Sequence, residues 1–151
     1  MSIFILFVIM NRETIGYTFC KAERLCSRSR FERLLSSGFS FISYPLRVIV
    51  YVSEREEEEF PARMAISVSK KRFKRAVKRN RVKRLVREAY RLNKFRLYEN
   101  IPENETWNML FIYLNDSIVK YDKIEKAITG AFKKMETHIK KDRDRNVVDT
   151  P

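Results

Sequence analysis

The sequence predicts an α+β fold, a small mixed sheet of about four strands packed with three helices in the order α-β-β-β-α-β-α. Three observations lead there. Hydrophobic residues recur with a period of two between Leu46 and Val68 and with a period near 3.6 beyond Lys78. The run from Trp107 to Leu114, WNMLFIYL, is almost wholly apolar, as in a strand covered on both faces. The chain has 151 residues, 44% of them hydrophobic and 13% aromatic, about one domain's worth with enough apolar mass for a single core. No internal repeat is visible.

The chain opens with eight consecutive apolar residues, Ile3 to Met10, too few for a bilayer span of about 20 residues. A secretory signal would place basic residues ahead of that run, and Met1-Ser2 supplies none. The expectation is a cytoplasmic protein with no membrane contact, in which Met10 is the true initiator. Residues 1–16 are read as an N-terminal extension, 17–139 as one domain, and 140–151 as a polar tail that frays.

The first helix is marked by Ser29-x-x-Glu32, a capping-box pattern, by Phe31, Leu34 and Leu35 at helical spacing, and by Gly38 as its stop. A strand is expected from Phe39 to Tyr44. Leu46, Val48, Val50 and Val52 alternate with Arg47, Ile49 and Tyr51 to give the next strand. The acidic run Glu54 to Glu59 then reads as a solvated hairpin tip, with Met64, Ile66 and Val68 forming the returning strand. A second helix carries Val82, Leu85, Val86 and Ala89 on one stripe, with Asn93 as its expected stop. After the Trp107 strand, Tyr121, Ile124, Ala127, Ile128, Ala131, Phe132 and Met135 mark the last helix.

Several chemistries are excluded. Gly16, Gly38 and Gly130 are the only glycines, whereas phosphate-cradling loops need them clustered. Cys20, Cys26 and His138 do not have zinc-ligand spacing, so no protein-bound metal is expected. The two cysteines read as free cytosolic thiols and His138 as a surface residue. No nucleophile is spaced to work with that histidine, and no catalytic constellation emerges.

The charge is more informative. The formal net charge is +13, and residues 70–94 hold thirteen bases against one acid, Glu88. The other 126 residues carry 19 bases and 18 acids. On a helical wheel Val82, Leu85, Val86 and Ala89 share one side, while Asn80, Lys83, Arg84, Arg87, Arg91 and Lys94 share the opposite one. A merely solvated face usually mixes signs at i,i+4, where like charges cost a few tenths of a kcal/mol. Lys83, Arg87 and Arg91 repeat at that spacing, a repulsion that a polyanion relieves. More than half of the thirteen bases are arginine, whose planar fork suits phosphate. Nucleic acid is the expected partner. An anionic membrane would require an exposed apolar helix face, and here strands stand on either side to cover it.

The segment from Met64 to Arg91, MAISVSKKRFKRAVKRNRVKRLVREAYR, closely resembles the protein subunit of bacterial ribonuclease P. The family pattern is a strand ending in Ser-x-Lys-Lys, a short basic connection, and Arg-Asn-Arg followed by x-Lys-Arg-x-x-Arg-Glu. Here Ser67, Ser69, Lys70, Lys71, Arg79, Asn80, Arg81, Lys83, Arg84, Arg87 and Glu88 fill it. A weaker N-terminal signature is met by Arg24, Leu25, Phe31 and Gly38. The resemblance spans roughly Phe19 to Ile139. Two departures stand out: many members have a glycine where this chain has Arg72-Phe73-Lys74-Arg75, and many have a second aromatic where it has Leu35.

The resemblance implies a ribonucleoprotein endonuclease that removes the 5′ leader of precursor tRNA, with magnesium bound mainly by the RNA subunit, which performs the hydrolysis. Implied partners are ribonuclease P RNA and precursor tRNA. The implied RNA-binding residues are Lys70, Lys71, Arg72, Lys74, Arg75, Arg79, Asn80, Arg81, Lys83, Arg84, Arg87 and Arg91, with none catalytic. Arg24, Phe31 and Asn80 are candidates for holding the leader in a cleft between the first helix and the sheet. Phe31 reads equally as a stacker or a core residue, and Asn80 as an RNA contact or a helix cap. The family also implies a left-handed β-α-β crossover, against the usual rule. Alternatives are a ribosomal or RNA-assembly protein without a nuclease role and a DNA-binding module. The latter normally sets its recognition helix after another helix, whereas here a strand precedes it.

Overall fold

The computed structural model describes residues 19–56 and 60–148. The Ile3–Met10 run, the assignment of Met10 as initiator and the acidic residues Glu57 to Glu59 lie outside them. After a turn of 3-10 helix at Lys21–Glu23, the elements are α1 (Arg28–Ser37), β1 (Phe39–Ser43), β2 (Leu46–Glu54), β3 (Ala62–Ser67), α2 (Ala76–Tyr98), β4 (Glu105–Tyr113) and α3 (Tyr121–Val148). This is the expected α+β composition and element order.

The sheet order is β1-β2-β4-β3. The expected hairpin between the Leu46 and Met64 strands does not form, because β4 lies between them. It pairs antiparallel with β2, from Leu46↔Tyr113 to Glu54↔Glu105, and parallel with β3, from Ala62↔Trp107 to Ser67↔Ile112. Residues 106–111 of β4 are all buried, as in a strand covered on both faces and flanked on both edges, which an interior position provides. The true hairpin is β1–β2, turning at the cis Tyr44–Pro45 peptide.

One face of the sheet carries Val48, Val50, Met64, Met109 and Phe111 against Val82, Val86 and Ala89 of α2 and Ile124, Ile128 and Met135 of α3. The other carries a smaller cluster of Leu25, Leu34 and Leu110, with Phe31, Ile49, Tyr51, Ala65 and Ile112 packed on it. Leu34, which α1 supplies to that cluster, is fully buried, a contribution of about 1.5–3 kcal/mol.

Helix ends depart from the periodicity. The N-cap of α1 is Ser27, which puts Ser29 and Glu32 inside the helix, and Glu32 accepts from Arg28 Nε at 3.2 Å. Gly38 does end α1. A Cβ there would lie 2.4 Å from the Leu34 carbonyl oxygen and 3.0 Å from that of Val50, so the passage from helix to strand has no room for a side chain. Asn93 does not stop α2. Its Nδ2 donates to the Ala89 carbonyl at 2.8 Å, and Phe95, Leu97 and Tyr98 beyond it are buried, which carries the helix to Tyr98. Nor does helix end where the polar tail was expected to begin, at Lys140, since α3 runs on to Val148.

Candidate nucleic-acid interface

The basic segment leaves β3 through a compact connection. Ser69 Oγ accepts the Lys71 amide at 3.1 Å, and the Ser69 carbonyl accepts those of Arg72 and Phe73 at 3.2 and 3.1 Å, so the chain turns without a glycine. Phe73 is buried, with its ring centroid 6.0 Å from that of Tyr113. One apolar anchor thus holds the loop down while Lys70, Lys71, Lys74 and Arg75 stay exposed.

Not every predicted base remains available to a partner. Arg79 Nη1 donates to the carbonyls of Phe73 and Lys74 at 2.8 and 2.9 Å, so this guanidinium clamps the connection onto α2. Arg72 donates to Asp116 Oδ1 at 2.9 Å. Arg91 pairs with Glu88 at 2.6 Å and thereby holds that carboxyl below its usual range, which relieves the repulsion at that end of the Lys83-Arg87-Arg91 row. Lys94 leaves the cationic face altogether. It is buried, with Nζ 2.6 Å from Glu23 Oε1. Lys83 is half-buried. Eight bases remain exposed and without an ion pair among the described residues: Lys70, Lys71, Lys74, Arg75, Lys78, Arg81, Arg84 and Arg87.

Asn80 is exposed and lies five residues after the N-cap, Arg75, which overturns the capping alternative. The three leader candidates sit on three elements. Arg24 is exposed beside β3, bridged to Met64, with its guanidinium 5.6 Å from the Phe19 ring centroid. Phe31 is half-buried in the α1 cluster, part core and part surface. Its helix covers the face of the sheet opposite to the one covered by the helix of Asn80.

Beside α1 a polar groove is lined by Ser29, Arg30, Arg33, Tyr51, Ser53 and Asn108 among others. Asn108 Nδ2 donates to the Tyr51 carbonyl and to Ser53 Oγ, at 3.2 and 3.0 Å, whereas its buried Oδ1 has no hydrogen-bond partner among the described residues. Such an acceptor is costly unless something donates to it. Sequence reading missed Arg33, Tyr51 and Asn108. Tyr51 could have been found, since it shares the strand parity of Arg47 and Ile49, away from the Val48 and Val50 core.

Cys20 and Cys26 are free and exposed. His138 is not a plain surface residue, because its ring centroid lies 3.9 Å from that of Phe39. Among the described residues no group of three His, Cys, Asp or Glu could hold a metal, and no helix is long and apolar enough to cross a membrane.

The comparisons with known proteins agree with one another. The family model for ribonuclease P matches residues 19–136. The ribonuclease P protein component of Porphyromonas gingivalis is 41% identical over 109 residues, covering 72% of this chain and 79% of that protein. That of Clostridium novyi is 36% identical over 115 residues, covering 76% and 94%. The RNase P protein of Thermotoga maritima superposes with a TM-score of 0.56 at 25% identity over 74% of this chain and 96% of that one. A Staphylococcus aureus RNase P protein mutant has the same fold, with a TM-score of 0.58 at 20% identity, covering 90% and 98%. On the breadth of the family match and the identity to these relatives, the chain belongs to the ribonuclease P proteins, the protein components of a tRNA-processing ribonuclease.

Proposed function

We propose that this chain grips the catalytic RNA of ribonuclease P through the connection 70–75 and the exposed side of α2, and assists that RNA in cutting the 5′ leader from precursor tRNA. The observation that carries the reading is the set of eight exposed bases, without an ion pair among the described residues, on a scaffold otherwise close to neutral. Their arginines can bond phosphate through two parallel N–H donors, and each phosphate neutralised releases counterions. The clamp from Arg79 fixes the connection, so its lysines meet RNA already ordered.

The leader lies in the groove between α1 and the sheet. Phe31 and Tyr51 offer ring faces to bases of any identity, and Arg33 offers charge to the backbone. Magnesium belongs to the RNA subunit in this reading. The protein aids the reaction by neutralising phosphate and positioning substrate.

The test is cleavage of precursor tRNA by ribonuclease P RNA at low magnesium. Adding the protein restores cleavage, and equal cleavage with and without it refutes the reading. Arg81→Ala with Arg84→Ala weakens RNA binding and lowers the slope of log K against log salt by about 1.4–1.8, the share of two phosphate contacts.

A further inference from the structure

We propose that a second RNA-strand site lies at the β1 edge of the sheet, in the groove between β1 and the C-terminal half of α3. It goes beyond gripping by α2 and does not depend on it. The connection 70–75 follows β3, at the other edge of the sheet. The floor of the groove is aromatic: Phe41 lines it, with its ring 6.3 Å from that of Phe39 in a stacked arrangement, and the His138 ring lies over Phe39 at 3.9 Å. Phe39, Phe41 and His138 are each half-buried, so the rings are held in place by packing and still present surface.

The rim is cationic. Lys133, Thr137, Lys141 and Arg145 follow one another at i,i+4 along α3, each step advancing about 6 Å, and all four are exposed. Lys134 closes the wall by donating from Nζ to the Ile42 carbonyl at 2.6 Å. Asp142 is the one acid among the lining residues, and it faces His138, with Oδ2 3.5 Å from Nδ1. Lys133, Lys141 and Arg145 have no ion pair among the described residues. Lys141 and Arg145 repel at i,i+4, a repulsion that Asp144, three after Lys141, and Asp142, three before Arg145, offset only in part. Ring faces flanked by a line of exposed cations are what a single RNA strand engages, bases on the rings and phosphates on the cations. The row exists because α3 stays helical past Lys140.

The probe is a fluorescent single-stranded oligoadenylate decamer, titrated into the full chain already carrying Arg81→Ala and Arg84→Ala, so that α2 does not dominate. Adding Lys133→Glu and Lys141→Glu lowers affinity at least about fivefold and the salt slope by about 1.4. The same reversals at Lys123 and Lys126, exposed on the first turns of α3, change net charge equally and leave most of the affinity. An equal loss in both pairs, or none in either, overturns the site. Phe41→Leu keeps the packing and removes the ring, and is expected to weaken binding about threefold with the slope unchanged; an unchanged affinity removes Phe41 from it. A photo-reactive phenylalanine analogue at Thr137 in the assembled enzyme then identifies the source, by cross-linking to the catalytic RNA or to precursor tRNA, and cross-linking to neither overturns the proposal. If Arg81 and Arg84 prove irrelevant to RNA binding, the proposed role of α2 fails while this comparison still reads out.

Discussion

Lys94 shows how one side chain can contradict the pattern it belongs to. In projection it stands with the other cations of α2, yet Glu23, 71 positions earlier, draws it into the protein. Tyr98 also donates to Glu23 Oε1, at 2.8 Å, and its hydroxyl lies 3.2 Å from that of Tyr90, while Glu23 Oε2 accepts the Cys20 amide at 2.9 Å. The cluster ties the N-terminal turn to the last turns of α2. Glu23→Ala would remove the carboxylate paired with a buried ammonium, and a loss of about 3–5 kcal/mol is expected in urea unfolding, most of it regained when Lys94→Met is added. Burial pushes the Tyr98 phenol well above its ordinary value of about 10. Above that pH the unfolded chain releases a proton that the folded one keeps, so stability falls as pH rises. Urea midpoints at pH 9 and 11 should separate less in Tyr98→Phe than in the parent. None of this was legible in the sequence, because a wheel contains only its own helix and Glu23 lies outside it.

Elements were legible where local chemistry decides them and illegible where distant packing does. The period-two run of β2, the apolar run of β4 and the Gly38 stop follow from residues close together in the chain. Gly38 is required for close approach, and Gly38→Ala is expected to cost about 1–3 kcal/mol through overpacking, read as a lower denaturant midpoint at an unchanged m-value. The ends of α2 and α3 escaped because Asn93 is a plausible stop only until Phe95, Leu97 and Tyr98 find their core. Pairing escaped for a related reason. Alternation identifies a strand and says nothing of its neighbour, so sequence proximity favoured β2 with β3 when burial had already singled out β4 for the centre. In the candidate interface, the exposed bases were read from spacing, whereas the diversion of Arg79, Arg91 and Lys94 to internal partners needed the neighbours to be seen.

At the scale of the molecule, charge and core are divided. Residues 70–94 carry thirteen of the 32 bases and one of the 19 acids, on a connection and helix whose apolar side is locked to the larger cluster by Val82, Val86 and Ala89. The rest of the chain supplies a nearly neutral platform, whose Glu23 and Asp116 engage Lys94 and Arg72 while the eight exposed bases face solvent. Element order and basic face were both readable because they repeat along the chain, while sheet order and the α1 groove depend on contacts between distant residues. The central place of β4 also bears on how the molecule is made. A chain elongating from its N-terminus can pair β2 with β1, but the other edge of β2 and the whole of β3 lack a strand neighbour until residues 105–113 arrive. Pairings between distant segments form slowly, and domains fold as their chain emerges. The strongly cationic stretch is therefore synthesised before the strand that seats it, and for that interval the ribosome's own RNA is the nearest polyanion within its reach.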